Sequence, residues 1–122
     1  MPISLRIDET HRRLYTRAEG LVTYAEIRAH IHSDLSAEEA SYGELVDCSG
    51  ATTNVTAEQI RQLAGERKRV GEGQLQPGSV AVVATDNVFF GMFRMFDILT
   101  EKVRPIRVFR DSVAAVEWLD KS

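Results

Sequence analysis

Cys48, Ser49 and the histidines His11, His30 and His32 are the side chains of this sequence that could serve as nucleophile, general base or metal ligand. Their spacing supports none of those roles. His30 and His32 stand two apart on an expected helix and point to different faces, so they cannot share a metal as an i, i+4 pair does. His11 falls in a polar turn. No base stands at a recognisable spacing from Ser49 or Cys48, so no triad can be read. Cys48, one residue beyond an apolar strand, has the setting of a small inert hydrophobe rather than a thiolate. The glycine spacings of a dinucleotide fingerprint or a P-loop are missing. No cofactor and no metal is expected, and an enzyme is the least favoured function class.

Two polar segments are better placed for recognition. Asp47 to Thr56 carries hydroxyls at Ser49, Thr52, Thr53 and Thr56, and Thr85-Asp86-Asn87 opens a later helix. Both follow apolar strands, and in an open parallel sheet ligands collect beyond the carboxyl ends of the strands. Free backbone N–H groups there could receive an anion, although Ser, Thr, Asp and Asn are also what any helix start requires. Asp47, Ser49, Thr53, Asn54, Thr56, Thr85, Asp86 and Asn87 are therefore expected to form one loop surface. Asp47, Thr85 and Asp8-Glu9 resemble a response-regulator receiver only in part, because Arg110 stands where a receiver has lysine and a hairpin opens the chain. Arg67-Lys68-Arg69 is a basic run at a helix end that could touch anionic lipid or phosphate, although solvation and the helix dipole explain it more simply.

The least ordinary segment is Val88-Phe89-Phe90-Gly91-Met92-Phe93-Arg94-Met95-Phe96-Asp97-Ile98-Leu99. On a helical wheel Phe89, Met92, Phe93, Phe96 and Leu99 make a core-facing stripe, while Arg94, Asp97 and Glu101 occupy a narrow polar remainder. Phe90, Met95 and Ile98 are left over and widen the apolar arc past half the circumference. The neighbouring helix of the same chain, a second subunit, or an apolar ligand or membrane surface should cover them. Phe90, Met95 and Ile98, with Phe93, are the expected partner- or ligand-contact residues.

These residues need a scaffold, and the hydrophobic periods supply one. Ile3, Leu5 and Ile7, then Leu14, Thr16 and Ala18, alternate as half-buried strands around a polar turn, giving an antiparallel hairpin that turns away at Gly20. Thr23 and Glu26 form a capping box for a helix over about Thr23 to Leu35, followed by a connector from Ser36 to Gly43. Leu45-Val46 and Val80 to Ala84 are unbroken apolar runs, as in strands covered on both faces. Ile106 to Phe109 is less pure and belongs toward an edge. Thr56 and Gln59 cap a second helix with Ala57, Ile60, Leu63 and Ala64 as its buried stripe. Helices over about Asn87 to Lys102 and Asp111 to Lys121 complete the pattern. The fold class is α/β: an N-terminal antiparallel hairpin followed by βαβαβα, in a single two-to-three-layer domain. Its mixed, mostly parallel five-stranded sheet is flanked by about four helices.

With 122 residues, 43% apolar and 27% charged, the chain has the balance of one ordinary domain able to bury a core without staples. A single cysteine and no leader-like opening make the cytoplasm the expected compartment. No stretch is apolar enough to span a bilayer. The net charge of −3 does not favour nucleic acid as a partner.

The segment Leu45-Val46-Asp47-Cys48-Ser49-Gly50-Ala51-Thr52-Thr53-Asn54-Val55-Thr56 resembles the central stretch of STAS domains, the sulfate-transporter and anti-sigma-factor-antagonist family. There an apolar strand ends in Asp and a small-residue loop leads to a helix. The order of elements is similar to the SpoIIAA-like branch, bacterial proteins mostly without assigned activity. In the family's anti-sigma antagonists an Asp-Ser pair opens that helix, and the Ser is phosphorylated. Aligned on Asp47 the pair falls at Val55-Thr56, so the acid is absent and Thr56 is the phosphoacceptor that the resemblance implies. Some SpoIIAA-like proteins resemble lipid-carrying Sec14-type domains in fold. The resemblance thus implies a non-catalytic regulatory or protein-interaction module, expected as a homodimer with a regulatory protein partner. The alternative is a peripheral carrier or sensor of a lipid or other small apolar molecule. A pocket beneath the phenylalanine helix would favour the carrier.

Overall fold

The computed structural model describes residues 3–33, 35–71, 78–100 and 105–122. β1 (Ile3–Asp8) and β2 (Arg13–Val22) pair antiparallel in the register Ile3↔Ala18 to Asp8↔Arg13, as the alternation predicts. The turn between them is fixed by Asp8, whose carboxylate accepts from the His11 backbone N–H at 3.0 Å and meets its ring Nδ1 at 2.8 Å. Those hydrogen bonds hold the Asp8 carboxyl below its ordinary range.

β3 (Gly43–Thr53), β4 (Val80–Ala84) and β5 (Ile106–Phe109) then add in parallel, giving a five-stranded sheet in the order β1-β2-β3-β4-β5. Every residue of β4 is buried and β5 lies at an edge. Between the strands lie α1 (Tyr24–Ile31), α2 (Ala37–Ala40), α3 (Ala57–Gly71) and α4 (Asn87–Thr100), with α5 (Ser112–Asp120) after β5. The Thr23–Glu26 capping box is formed, and Asp111 caps α5. Among the described residues no helix is long and apolar enough to cross a membrane.

Side-chain alternation divides the core in two. Ala18, Cys48, Val80, Val82, Ala84 and Ile106 face α1, α3 and α4, where Ile60, Leu63, Phe89, Phe93 and Phe96 meet them. Ala81 and Val83 face the other way, against Ala115 and Leu119 of α5. Helices therefore cover both faces, α5 packing mainly on β3 to β5. On β1 and β2 that outer face carries exposed Arg6 stacked 4.3 Å from the centre of the Tyr15 ring.

Several expectations are corrected. The chain does not turn at Gly20: β2 runs on to Val22, because a register shift between Arg17 and Glu19 and a positive φ of 70° at Gly20 bend the strand without ending it. The segment from Asp47 to Thr53 is strand rather than loop, since its small and β-branched residues pair with that extension, Gly50 on Glu19 through Thr53 on Val22. The first helix stops at Ile31 rather than Leu35, and the connector from Ser36 holds the one-turn α2, capped by Ser36 and Glu39, which joins the expected helices among the described residues. Asp97 is buried on α4 rather than solvated, accepting from Arg94 Nη1 at 3.0 Å. Glu101 and Lys102, assigned to this helix from the sequence, lie outside the described residues.

Candidate functional site

On the face of β2 to β4 that meets α1, α3 and α4, apolar side chains give way at Thr16, Glu44 and Cys48. Glu44 is the notable one, since an acid on an apolar sheet face must be supplied with hydrogen-bond donors. Its Oε2 accepts from Thr16 Oγ1 at 2.6 Å and from His30 Nε2 at 2.9 Å. His30 reaches it because Ile27, His30 and Ile31 fall on one helical face of α1. Arg67 follows Ile60, Leu63 and Ala64 at helical spacing and so continues the buried stripe of α3 into the same space. Burial lowers its pKa and the Glu44 carboxylate opposes that shift.

These groups line one end of a cavity of about 510 Å³ between the sheet and the helices. The volume is within the roughly 300–1,000 Å³ usual for small-molecule pockets. Beside it α1 packs on α3 and reaches β3 through His30. Two contacts fix α1 there: Arg28 Nε donates to Glu66 Oε1 at 2.7 Å, and His32 Nε2 meets the same oxygen at 3.0 Å. The remaining wall is apolar, formed by Leu14, Ala18 and Val22 of β2, Val46 of β3, Val82 of β4, and Phe89 and Phe93 of α4 stacked 4.6 Å apart. Leu5 of β1 lines the cavity and is still 38% exposed, which places an opening beside this edge strand. Cys48 also faces inward, but burial and the nearby Asp47 and Glu44 push its thiol up to about 12. It stays protonated at neutral pH and is no nucleophile there.

The residues singled out in the sequence are distributed over three places. Phe93 is buried and lines the cavity, whereas Phe90 and Met95 are half-buried against the core and Ile98 is 56% exposed on the outside of α4. Asp47, Ser49 and Thr85 are brought together at the carboxyl edge of the sheet. Asp47 Oδ1 accepts from Ser49 N and Oγ, at 3.0 and 2.7 Å, and Thr85 Oγ1 donates to the Ser49 carbonyl at 2.8 Å. Asp86 starts α4 by accepting from Phe89 N at 2.9 Å, beside exposed Asn87. Arg110, noted in the sequence only against the receiver pattern, joins this cluster to α4: it donates to the Thr85 carbonyl at 2.9 Å and lies 4.0 Å from the centre of the Phe90 ring. Thr53 does not belong to that surface. It is buried, and its hydroxyl donates to the Val22 carbonyl at 2.7 Å. Asn54 and Thr56 are exposed, with Thr56 and Gln59 bonded reciprocally at the start of α3.

Thr16, His30, Glu44 and Arg67 were missed as a group. Two signals for it were present. His30 and Arg67 each occupy a stripe position on an amphipathic helix, where a polar side chain requires a buried partner.

No protein-family model matches the sequence, and no curated protein is significantly similar to it. A solved structure is similar in fold: an uncharacterized protein of the DUF3478 family from Shewanella loihica PV-4, described as having a SpoIIAA-like fold. It is 14% identical, the match covers 96% of this chain and 91% of that one, and the TM-score is 0.55. The mixed sheet, with its antiparallel hairpin and parallel remainder, agrees with that likeness. The chain has a SpoIIAA-like fold.

Proposed function

We propose that this domain is a non-catalytic binding module that holds a small, mainly apolar molecule between its sheet and α1, acting as a carrier or sensor. The observation that carries this reading is the 510 Å³ cavity, apolar along most of its wall and polar at one end. Apolar walls with a few placed polar groups are the usual composition of a ligand pocket. NMR titration of the protein with octan-1-ol tests the reading. Saturable shifts confined to methyl groups of Ala18, Val22, Ile27 and Val82 are expected, and their absence overturns it.

A second reading, the interaction module, rests on the outer surface. Ile98 and Val88 of α4 are 56% and 55% exposed, with half-buried Phe90 and Met95 on the same helix. A homodimer or regulatory partner covering this surface would remove them from water, worth roughly 1.5–3 kcal/mol for each fully buried side chain. Asp47, Ser49, Thr85 and Asn87 would form its polar rim. Ile98→Arg is then expected to convert a dimer to a monomer in native mass spectrometry without lowering Tm. A monomeric wild type counts against the homodimer. Thr56, exposed at the start of α3, is the phosphoacceptor in this reading.

A further inference from the structure

Within the cavity Thr16 Oγ1 and His30 Nε2 donate to Glu44, converging on Oε2. The acidic side of the polar end is therefore supplied by the protein itself. The basic side differs. Arg67 lines the same cavity, and its guanidinium carries five N–H donors in a planar fork. Among the described residues, no acceptor lies within hydrogen-bonding distance of that fork. Water that reaches a half-buried guanidinium can be displaced by a better acceptor, and a carboxylate matches the fork with two parallel bonds.

We infer that the ligand is an aliphatic monocarboxylate, its carboxylate received by Arg67 at the polar end and its chain lying along Val46, Val82 and the Phe89–Phe93 stack. This rests on the cavity being a ligand site, as proposed above. The charge around Arg67 selects the head group. Glu44 acts on Arg67 electrostatically, so a dianionic phosphate monoester would bring two further negative charges toward a carboxylate, and an ammonium would meet the guanidinium. A monoanion supplies the missing acceptor with the least repulsion. The apolar wall selects the tail, because a short carboxylate such as acetate would leave it uncovered. Arg67 is half-buried where it lines the cavity, and a partly desolvated cation gains more from a bound anion than a fully exposed one does.

The experiment compares octanoate, octan-1-ol and acetate at pH 7 by calorimetry and NMR, on wild type and on Arg67→Gln and Arg67→Lys. Octanoate is expected to bind wild type at least tenfold more tightly than octan-1-ol, with acetate not binding. Arg67→Gln should reduce octanoate to the level of the alcohol while leaving the alcohol unchanged. Arg67→Lys, which keeps the charge but not the fork, should fall between. Equal affinity of wild type for octanoate and octan-1-ol overturns the carboxylate assignment and leaves the cavity reading intact. Binding of neither octanoate nor octan-1-ol overturns both, and tight binding of acetate alone reassigns Arg67 to free anions. The wild-type comparison decides the matter even if the Arg67 variants fail to fold.

Discussion

The imidazole of His30, near the C-terminal end of α1, donates from Nε2 to Glu44 Oε2 on β3 at 2.9 Å, across the polar end of the cavity. The Glu44 side chain is 8% exposed, so each donor it loses leaves a carboxylate less well compensated in a poor solvent for charge. His30→Ala is expected to lower the unfolding free energy by about 1.5–3 kcal/mol in urea titration, the usual worth of a hydrogen bond to a charged group. Adding Glu44→Gln should recover most of that loss, because a neutral amide needs the donor less. Additive losses in the double variant would show that the two side chains are not coupled.

Cys48 makes stability fall in alkali. Its thiol ordinarily ionises near 9.0, and in the folded chain it holds its proton up to about 12. The unfolded chain therefore gains an ionisation above pH 9 that the folded chain cannot, and stability declines from there by up to about 1.4 kcal/mol per pH unit until the folded thiol also titrates. In Cys48→Ala the decline between pH 9 and 10 should be shallower. Equal slopes in urea titrations of the two proteins would mean that the thiol is not buried as described. Alkylation by iodoacetamide at pH 8 should be slow in native protein and fast in urea.

Glu66 acts in the opposite direction. Hydrogen bonds from His32 and then Arg28 hold its carboxyl below the ordinary 4.5. The tie between α1 and α3 is therefore fully present above pH 4.5 and is lost as pH falls through the lowered value. Amides of α1 should lose exchange protection over that range before those of β4 do. In Glu66→Gln they should already be less protected at pH 7, and unchanged protection there would refute the tie.

Thr56 has a structural duty that any regulatory role must share. Its hydroxyl accepts from Gln59 N at 3.2 Å, and Gln59 Oε1 accepts from Thr56 N at 3.0 Å. Thr56→Ala should destabilise the protein by about 1 kcal/mol, and Thr56→Asp, which keeps an N-cap acceptor, by much less. Mass spectrometry of the protein from its native cell distinguishes cap from switch. Phosphate on Thr56 under some growth condition supports partner switching, and its complete absence removes it.

Local periodicity decided much of this molecule. Alternation at Ile3, Leu5 and Ile7 and the unbroken Val80 to Ala84 run place an edge strand and a central one. Phe89, Phe93 and Phe96 recur at the spacing that turns them to the core. Such patterns are legible because a side chain's direction depends on its own backbone, two residues per strand repeat or 3.6 per helical turn. Tertiary pairing decided the rest. Whether Ser49 to Thr53 continues a strand depended on β2 bending at Gly20 to meet it, 30 or so residues away in sequence. Whether Phe90, Met95 and Ile98 are covered depends on what lies outside the helix, not on its wheel. Bringing Thr16, His30, Glu44 and Arg67 to one cavity required β2, α1, β3 and α3 to meet around it. Distances of that kind are set by packing between elements, and no local sequence pattern encodes them.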